Sequence, residues 1–128
     1  MSRKRACAKG SEDRMEAEKS VKIMITGAGG FVGSRLAAYY GKKYAVWGVT
    51  HKDLDLTDEA AVFKTVGNYR PDVLIHCAAI SDVAECSKKP ELSHAVNVLG
   101  MEYIAKACRK TGTKLVMCSS DQVYFRKQ

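Results

Sequence analysis

Four short apolar runs, separated by stretches of helical periodicity, organise this chain. The strand candidates fall at 21–26, 44–50, 72–79 and 114–119, and the apolar spacing between them predicts helices near 31–41, 57–69 and 91–111. Runs such as Val73-Leu74-Ile75-His76-Cys77-Ala78-Ala79 are apolar almost without alternation, which suits strands covered on both faces, as in a parallel sheet. Strand and helix patterns that take turns in this way predict the α/β class.

Helix ends carry their own signals. In the last helix Leu92, Ala95, Val96, Leu99, Tyr103 and Ala107 recur at three- and four-residue steps, so one face is expected to pack on the sheet. Pro90 suits its first turn, and Gly112 stands where a left-handed cap would end it. Asp58 and Glu59 follow Thr57 at the start of the preceding helix, where an oxygen cap and negative charge both favour initiation, and Gly41 closes the first helix.

Right-handed crossovers and a doubly wound arrangement predict the strand order 3-2-1-4, a partial parallel sheet whose 114–119 strand is an edge. The polar, mixed-charge stretch 1–20 reads as a disordered basic tail, which leaves 21–128 as the folded unit. At 128 residues there is room for one domain.

Composition narrows the function classes. The formal net charge is +7, yet the cations are scattered in pairs with no basic stripe interleaved with aromatics, so nucleic acid is not an expected partner. Cys7, Cys77, Cys86, Cys108 and Cys118 form an odd set without a Cys-x-x-Cys pair or a companion His at metal-ligand spacing; they read as reduced thiols, and no metal is expected. No apolar stretch near the start is long enough for a signal peptide or a membrane span, which predicts a soluble, cytoplasmic setting.

The chemistry is concentrated where the first strand, Val21 to Thr26, runs into Gly27-Ala28-Gly29-Gly30-Phe31-Val32-Gly33. Gly27, Gly30 and Gly33 make a Gly-x-x-Gly-x-x-Gly turn between an apolar strand and an amphipathic helix. That placement is how a Rossmann-type dinucleotide site opens: glycines allow the tight bend and close backbone approach, and the free N–H groups of the helix start meet the pyrophosphate. Gly27, Gly29, Gly30, Phe31, Val32 and Gly33 are therefore candidate cofactor residues. At the end of the second strand a carboxylate would favour a free ribose 2′-hydroxyl, but Thr50, His51 and Lys52 stand there, with Asp53 slightly beyond. Cationic neighbours suit a 2′-phosphate, with Arg35 as a second contact, so NADP(H) is favoured over NAD(H). His76 and Cys77 do not form a nucleophilic dyad, because neighbours on a strand point to opposite faces.

Taken together, Thr26 to Gly33, Leu54-Asp55-Leu56-Thr57-Asp58, Arg70-Pro71-Asp72-Val73, His76-Cys77-Ala78-Ala79, Asn97-Val98-Leu99-Gly100 and Ser119-Ser120-Asp121-Gln122-Val123-Tyr124 resemble the N-terminal part of the extended short-chain dehydrogenase/reductases. Within that group the chain is most similar to the dTDP-4-dehydrorhamnose reductases and to their non-catalytic relative, the methionine adenosyltransferase regulatory β subunit. The resemblance implies that Asp55 and Leu56 border the adenine and that Ala78 and Ala79 let the nicotinamide ribose approach. It further implies that Asn97 serves structure and proton transfer and that the Ser120 hydroxyl bonds the substrate oxygen.

The reductases also use a Tyr-x-x-x-Lys pair, in which the lysine lowers the tyrosine pKa so that the phenol exchanges a proton with substrate. Tyr39 and Lys43 have that spacing, but at the far end of the first helix, and Tyr124 is followed four residues on by Gln128. The resemblance therefore places the functional pair and the nucleotide-sugar pocket beyond Gln128, and the 128 residues alone are expected to be inactive. Three readings follow: the cofactor-binding portion of a reductase for a nucleotide-linked keto-sugar, a regulatory binding module with a protein partner, or a truncated product without activity. Self-association through the sheet edge is expected of the isolated chain.

Overall fold

The computed structural model describes residues 21–79 and 88–118. The expected tail, residues 1–20, and Ser120 lie outside them. Strand β1 (Lys22–Thr26) leads through the glycine turn into α1 (Phe31–Tyr40), then β2 (Ala45–Val49), α2 (Glu59–Tyr69) and β3 (Val73–His76). A long rod follows, made of α3 (Pro90–His94), a π-helical turn (Ala95–Leu99) and α4 (Gly100–Thr111), and the chain then enters β4 (Lys114–Met117). The backbone stays in the right-handed helical region at both junctions of the rod, so its three parts run on without a break.

All three strand pairings are parallel. Period-two alternation gives the sheet two apolar faces. Ile23, Ile25 and Ile75 pack on one side with Leu36, Ala37 and Tyr40 of α1. Met24, Val49 and Leu74 pack on the other with Val62 and Val66 of α2 and Ile104, Ala107 and Cys108 of α4. Helices on both faces of a parallel sheet are the doubly wound α/β arrangement that the sequence predicts.

The strand order corrects the expectation. The sheet runs β2-β1-β3-β4, not 3-2-1-4, so β3 lies beside β1 and not outside β2. Handedness explains the difference. A right-handed crossover that continued past β2 would have left α2 on the same face as α1, but α2 docks on the opposite face, so the chain must step back across β1. The segment Leu54 to Thr57, with Leu54 and Leu56 buried in the α2 side core, passes along this route as loop and turn, not as a strand on the outer edge of β2.

The helix ends largely follow their chemistry. Pro90 occupies the first turn of α3, and Gly112 ends α4 in the left-handed region at φ 75°. Gly41 ends α1 with a right-handed φ of −63°, so no special backbone is needed there. Asp58 caps α2 by accepting from the Ala61 N–H at 3.2 Å, whereas Thr57 turns back to Asp55. Asp58→Ala should therefore cost about 1 kcal/mol, readable as a lower urea midpoint, while Asp58→Asn should lose little.

Candidate functional site

The step back across β1 leaves a crevice where the carboxyl ends of β1 and β3 diverge, which is where doubly wound sheets hold ligands. A cleft of about 860 Å³ opens there. Gly27, Gly29 and Gly30 form one wall; Thr50, His51 and Lys52 follow β2; Asp55 and Leu56 come from the loop before α2; Ala78 and Ala79 follow β3. Thr26, Val49, Leu54, Cys77, Leu92 and Val96 complete the lining. Four segments far apart in sequence thus converge on one cleft.

The glycine turn is fixed by contacts that leave no room for side chains. Gly27 has φ +71°, and a Cβ on it would lie 2.7 Å from the Ala78 nitrogen. A Cβ on Gly33 would lie 2.1 Å from the Gly27 carbonyl oxygen, so α1 is pressed directly onto the turn. Gly29 and Gly30 differ: their nearest neighbours would be 3.7 and 3.5 Å away, and both are exposed on the cleft wall. Gly30 is the N-cap of α1, it offers no side chain to the first N–H groups, and no acidic residue stands in the first turn. The start of α1 is thus an uncapped positive dipole end beside a bare backbone, a fit for a diphosphate. Phe31 and Val32 begin that helix and are exposed, Gly33 is buried under the turn, and none of the three is among the cleft-lining residues.

Beneath the cleft, a buried threonine ties β1 to β3. Thr26 Oγ1 accepts from the N–H groups of Cys77 at 3.1 Å and Ala78 at 3.2 Å. Both of its lone pairs are then engaged, so its single proton must go to His76 Nδ1, 2.8 Å away. His76 is therefore the neutral tautomer protonated on Nε2. Burial pushes its pKa down to about 4. His76 and Cys77 point to opposite faces, as expected: the imidazole meets Thr26, while Cys77 packs on the α1 side.

The β2 end is shaped by a carboxylate bonded to Thr50. Asp53 Oδ2 accepts from the Thr50 N–H at 2.9 Å and the Thr50 hydroxyl at 3.1 Å, and these bonds hold its carboxyl below the usual range. Asp53 is not among the lining residues, whereas exposed His51 and Lys52 are. Arg35 bends over the Phe31 ring, 3.7 Å from its centroid, and donates to the Phe31 carbonyl at 3.1 Å. Asp55, which lines the cleft, accepts at Oδ1 from the Thr57 hydroxyl and amide, and these bonds lower its pKa.

Asn97 sits in the π-helical turn, half-buried, with its Nδ2 donating to Ser93 Oγ at 3.3 Å. It is Leu92 and Val96, not Asn97, that line the cleft. Gly100 follows at the close approach of this rod to the 54–57 loop, where a Cβ would meet Leu56 Cβ at 3.1 Å. Among the described residues no group of three or more His, Cys, Asp or Glu could hold a metal ion, and no helix is long and apolar enough to cross a membrane.

A family model described as the RmlD substrate binding domain matches residues 21–126. The chain belongs to that family. Over 104 residues it is 42% identical to the dTDP-4-dehydrorhamnose reductase of Mycolicibacterium smegmatis, an alignment covering 80% of this chain and 31% of the relative. Over 115 residues it is 35% identical to methionine adenosyltransferase 2 subunit beta of Xenopus laevis, covering 82% of this chain and 34% of that protein. Both similarities match the resemblance visible in the motifs. Among solved structures, dTDP-4-dehydrorhamnose reductase from Bacillus anthracis in complex with NADP superposes with a TM-score of 0.71 at 32% identity, covering 75% of this chain and 35% of that one. UDP-glucose 4-epimerase from Brucella ovis in complex with NAD gives 0.72 at 28% identity, covering 85% and 38%. The chain spans about a third of the length of the curated relatives it matches. Of these two neighbours, the reductase holds NADP and the epimerase holds NAD.

Proposed function

We propose that this chain forms the NADP(H)-binding part of a dTDP-4-dehydrorhamnose reductase-like oxidoreductase acting on a nucleotide-linked keto-sugar, and that the 128 residues do not turn over substrate by themselves. The observation that carries this reading is the cleft at the β1/β3 divergence, with the uncapped start of α1 on one wall and Thr50, His51 and Lys52 on another. Gly29, Gly30 and the first-turn amides of Phe31, Val32 and Gly33 would hold the diphosphate, and Asp55 and Leu56 would border the adenine. Lys52 and His51 would meet a 2′-phosphate, a choice supported by Asp53, whose carboxylate is occupied by Thr50. Ala78 and Ala79 would leave space for the nicotinamide ribose. When bound, the cofactor supplies a hydride.

On the chain's side, Ser120 is proposed to hydrogen-bond the substrate carbonyl, and Asn97 to position groups at the cleft from the π-helical turn. The proton donor, a tyrosine made acidic by a lysine, is proposed to come from outside these residues. A cytoplasmic location goes with this reading. A second reading rests on the similarity to methionine adenosyltransferase 2 subunit beta: the same cleft would then stabilise a regulatory module whose outer surface contacts a partner protein.

Fluorescence titration tests the proposal. NADPH should bind saturably and more tightly than NADH, and Lys52→Glu should weaken NADPH by about tenfold while leaving NADH nearly unchanged. Equal affinities for the two dinucleotides would remove the 2′-phosphate assignment, and absence of binding by folded protein would remove the cofactor reading.

A further inference from the structure

Two thiols meet at the carboxyl edge of the sheet, on the face opposite the Thr26–His76 bond. Cys77 Sγ and Cys118 Sγ are 3.5 Å apart. Their closeness follows from register. His76 pairs with Met117, and the Cys118 N–H donates to the His76 carbonyl at 3.2 Å, so the ladder runs one residue further and sets Cys77 opposite Cys118. Neighbouring strands lie about 4.8 Å apart, which is within the roughly 4.4–6.8 Å Cα separation that a disulfide spans. Closing the sulfurs from 3.5 Å to about 2.05 Å then asks for side-chain rotation and a small approach of the two strand ends.

Access is unequal. Cys118 is exposed, while Cys77 is partly covered by the α1 side core. Burial, with the Cys118 thiol adding to it, pushes Cys77 up to about 12, so the exposed Cys118 is the first of the two to meet an oxidant, and capping Cys118 removes that thiol's effect on Cys77. Cys108, the other described cysteine, is buried in the core on the opposite face and does not compete.

We propose that Cys77 and Cys118 form a redox pair that a small-molecule disulfide such as oxidised glutathione converts to an intramolecular bridge between β3 and β4. The exposed Cys118 thiolate attacks one sulfur of the oxidant and expels the first glutathione thiolate. Cys77, its proton released to solvent, then attacks Cys118 Sγ, forms the bridge and expels the second. Two protein thiols are oxidised, one small disulfide is reduced to two thiols, and the two protons pass to the leaving groups. In a reducing compartment such a bond is transient, which is the usual character of a redox-responsive pair.

The test incubates the full chain with oxidised glutathione and compares it with a dithiothreitol-treated sample by intact mass and non-reducing peptide mapping. The expected result is the loss of two hydrogen masses, one cross-linked peptide pair containing Cys77 and Cys118, reversal by dithiothreitol, and a thermal midpoint several degrees higher in the oxidised form. Cys118→Ser, at an exposed position, should lose all four signals while its reduced midpoint stays at the wild-type value. A stable glutathione adduct at Cys118 without the link, a bridge that uses a different cysteine, or both thiols left free would each overturn the proposal.

Discussion

Gly33→Ala is expected to destabilise the chain by about 3 kcal/mol, because its new Cβ would sit 2.1 Å from a backbone oxygen that no side-chain rotation can move. The whole of α1 would have to lift from the turn, and with it the packing of Leu36, Ala37 and Tyr40 on Ile23, Ile25 and Ile75. Gly30→Ala makes the opposite case. Its φ of −89° suits alanine, and the nearest atom to its Cβ would be 3.5 Å away, so stability should stay within about 0.5 kcal/mol of wild type. Its methyl would nevertheless stand on the cleft wall where the diphosphate is proposed to lie, and NADPH affinity should fall by at least about tenfold. Urea unfolding and fluorescence titration of the two variants separate turn architecture from ligand contact. A Gly33→Ala protein as stable as wild type would count against the turn geometry, and undiminished binding by Gly30→Ala would count against the diphosphate position.

Acid should weaken the fold through His76. In the native chain the imidazole is only 4% exposed and its pKa is pushed down to about 4, while in the unfolded chain it returns to about 6.5. The unfolded state therefore takes up a proton as pH falls below 6.5, whereas the native state resists it until about 4. The stabilisation is complete above pH 6.5 and is lost across that window, amounting to about 3 kcal/mol at its lower end. His76→Asn retains an acceptor for the Thr26 hydroxyl but does not titrate, so the difference between the two proteins should shrink or reverse by that amount between pH 7 and 4. Urea midpoints measured at half-unit intervals give the curve. Parallel curves for wild type and variant would show that the imidazole is not held neutral by burial. Protonation also has a structural cost, since a charged ring needs Thr26 Oγ1 as an acceptor and that oxygen already serves Cys77 and Ala78.

Much of this site is visible in the chain because local chemistry dictates it. The bend after Thr26 needs glycine at Gly27, where φ is +71°, and at Gly33, where α1 presses on the turn. Asp58, Pro90 and Gly112 mark helix ends by their own preferences. The strand order is not local: Val62 and Val66 show that α2 has an apolar face, but nothing in their spacing says which side of the sheet receives it. The π-helical turn is equally silent, since Leu92, Val96, Leu99 and Tyr103 satisfy three- and four-residue steps whether or not an extra residue is accommodated among them. Thr26 carries a legible signal of its own. A lone hydroxyl at the end of an apolar strand, with a histidine ending another such run, is the signature of two polar groups meeting across adjacent strand ends. Of the proposed catalytic groups, Asn97 follows the cleft-lining Val96 without lining the cleft itself, and Ser120 lies outside the described residues.

Between Ala95 and Leu99 the rod is wound more loosely than an α-helix, and a π turn takes up one residue more than an α turn. Downstream, Ile104, Ala107 and Cys108 are buried in the core; upstream, Leu92 lines the cleft, and so does Val96 within the turn itself. Deleting one residue from this stretch would rewind it as plain α-helix and leave the two flanks facing much as they do now. The loose turn thus absorbs a residue that would otherwise rotate Leu92 off the cleft wall.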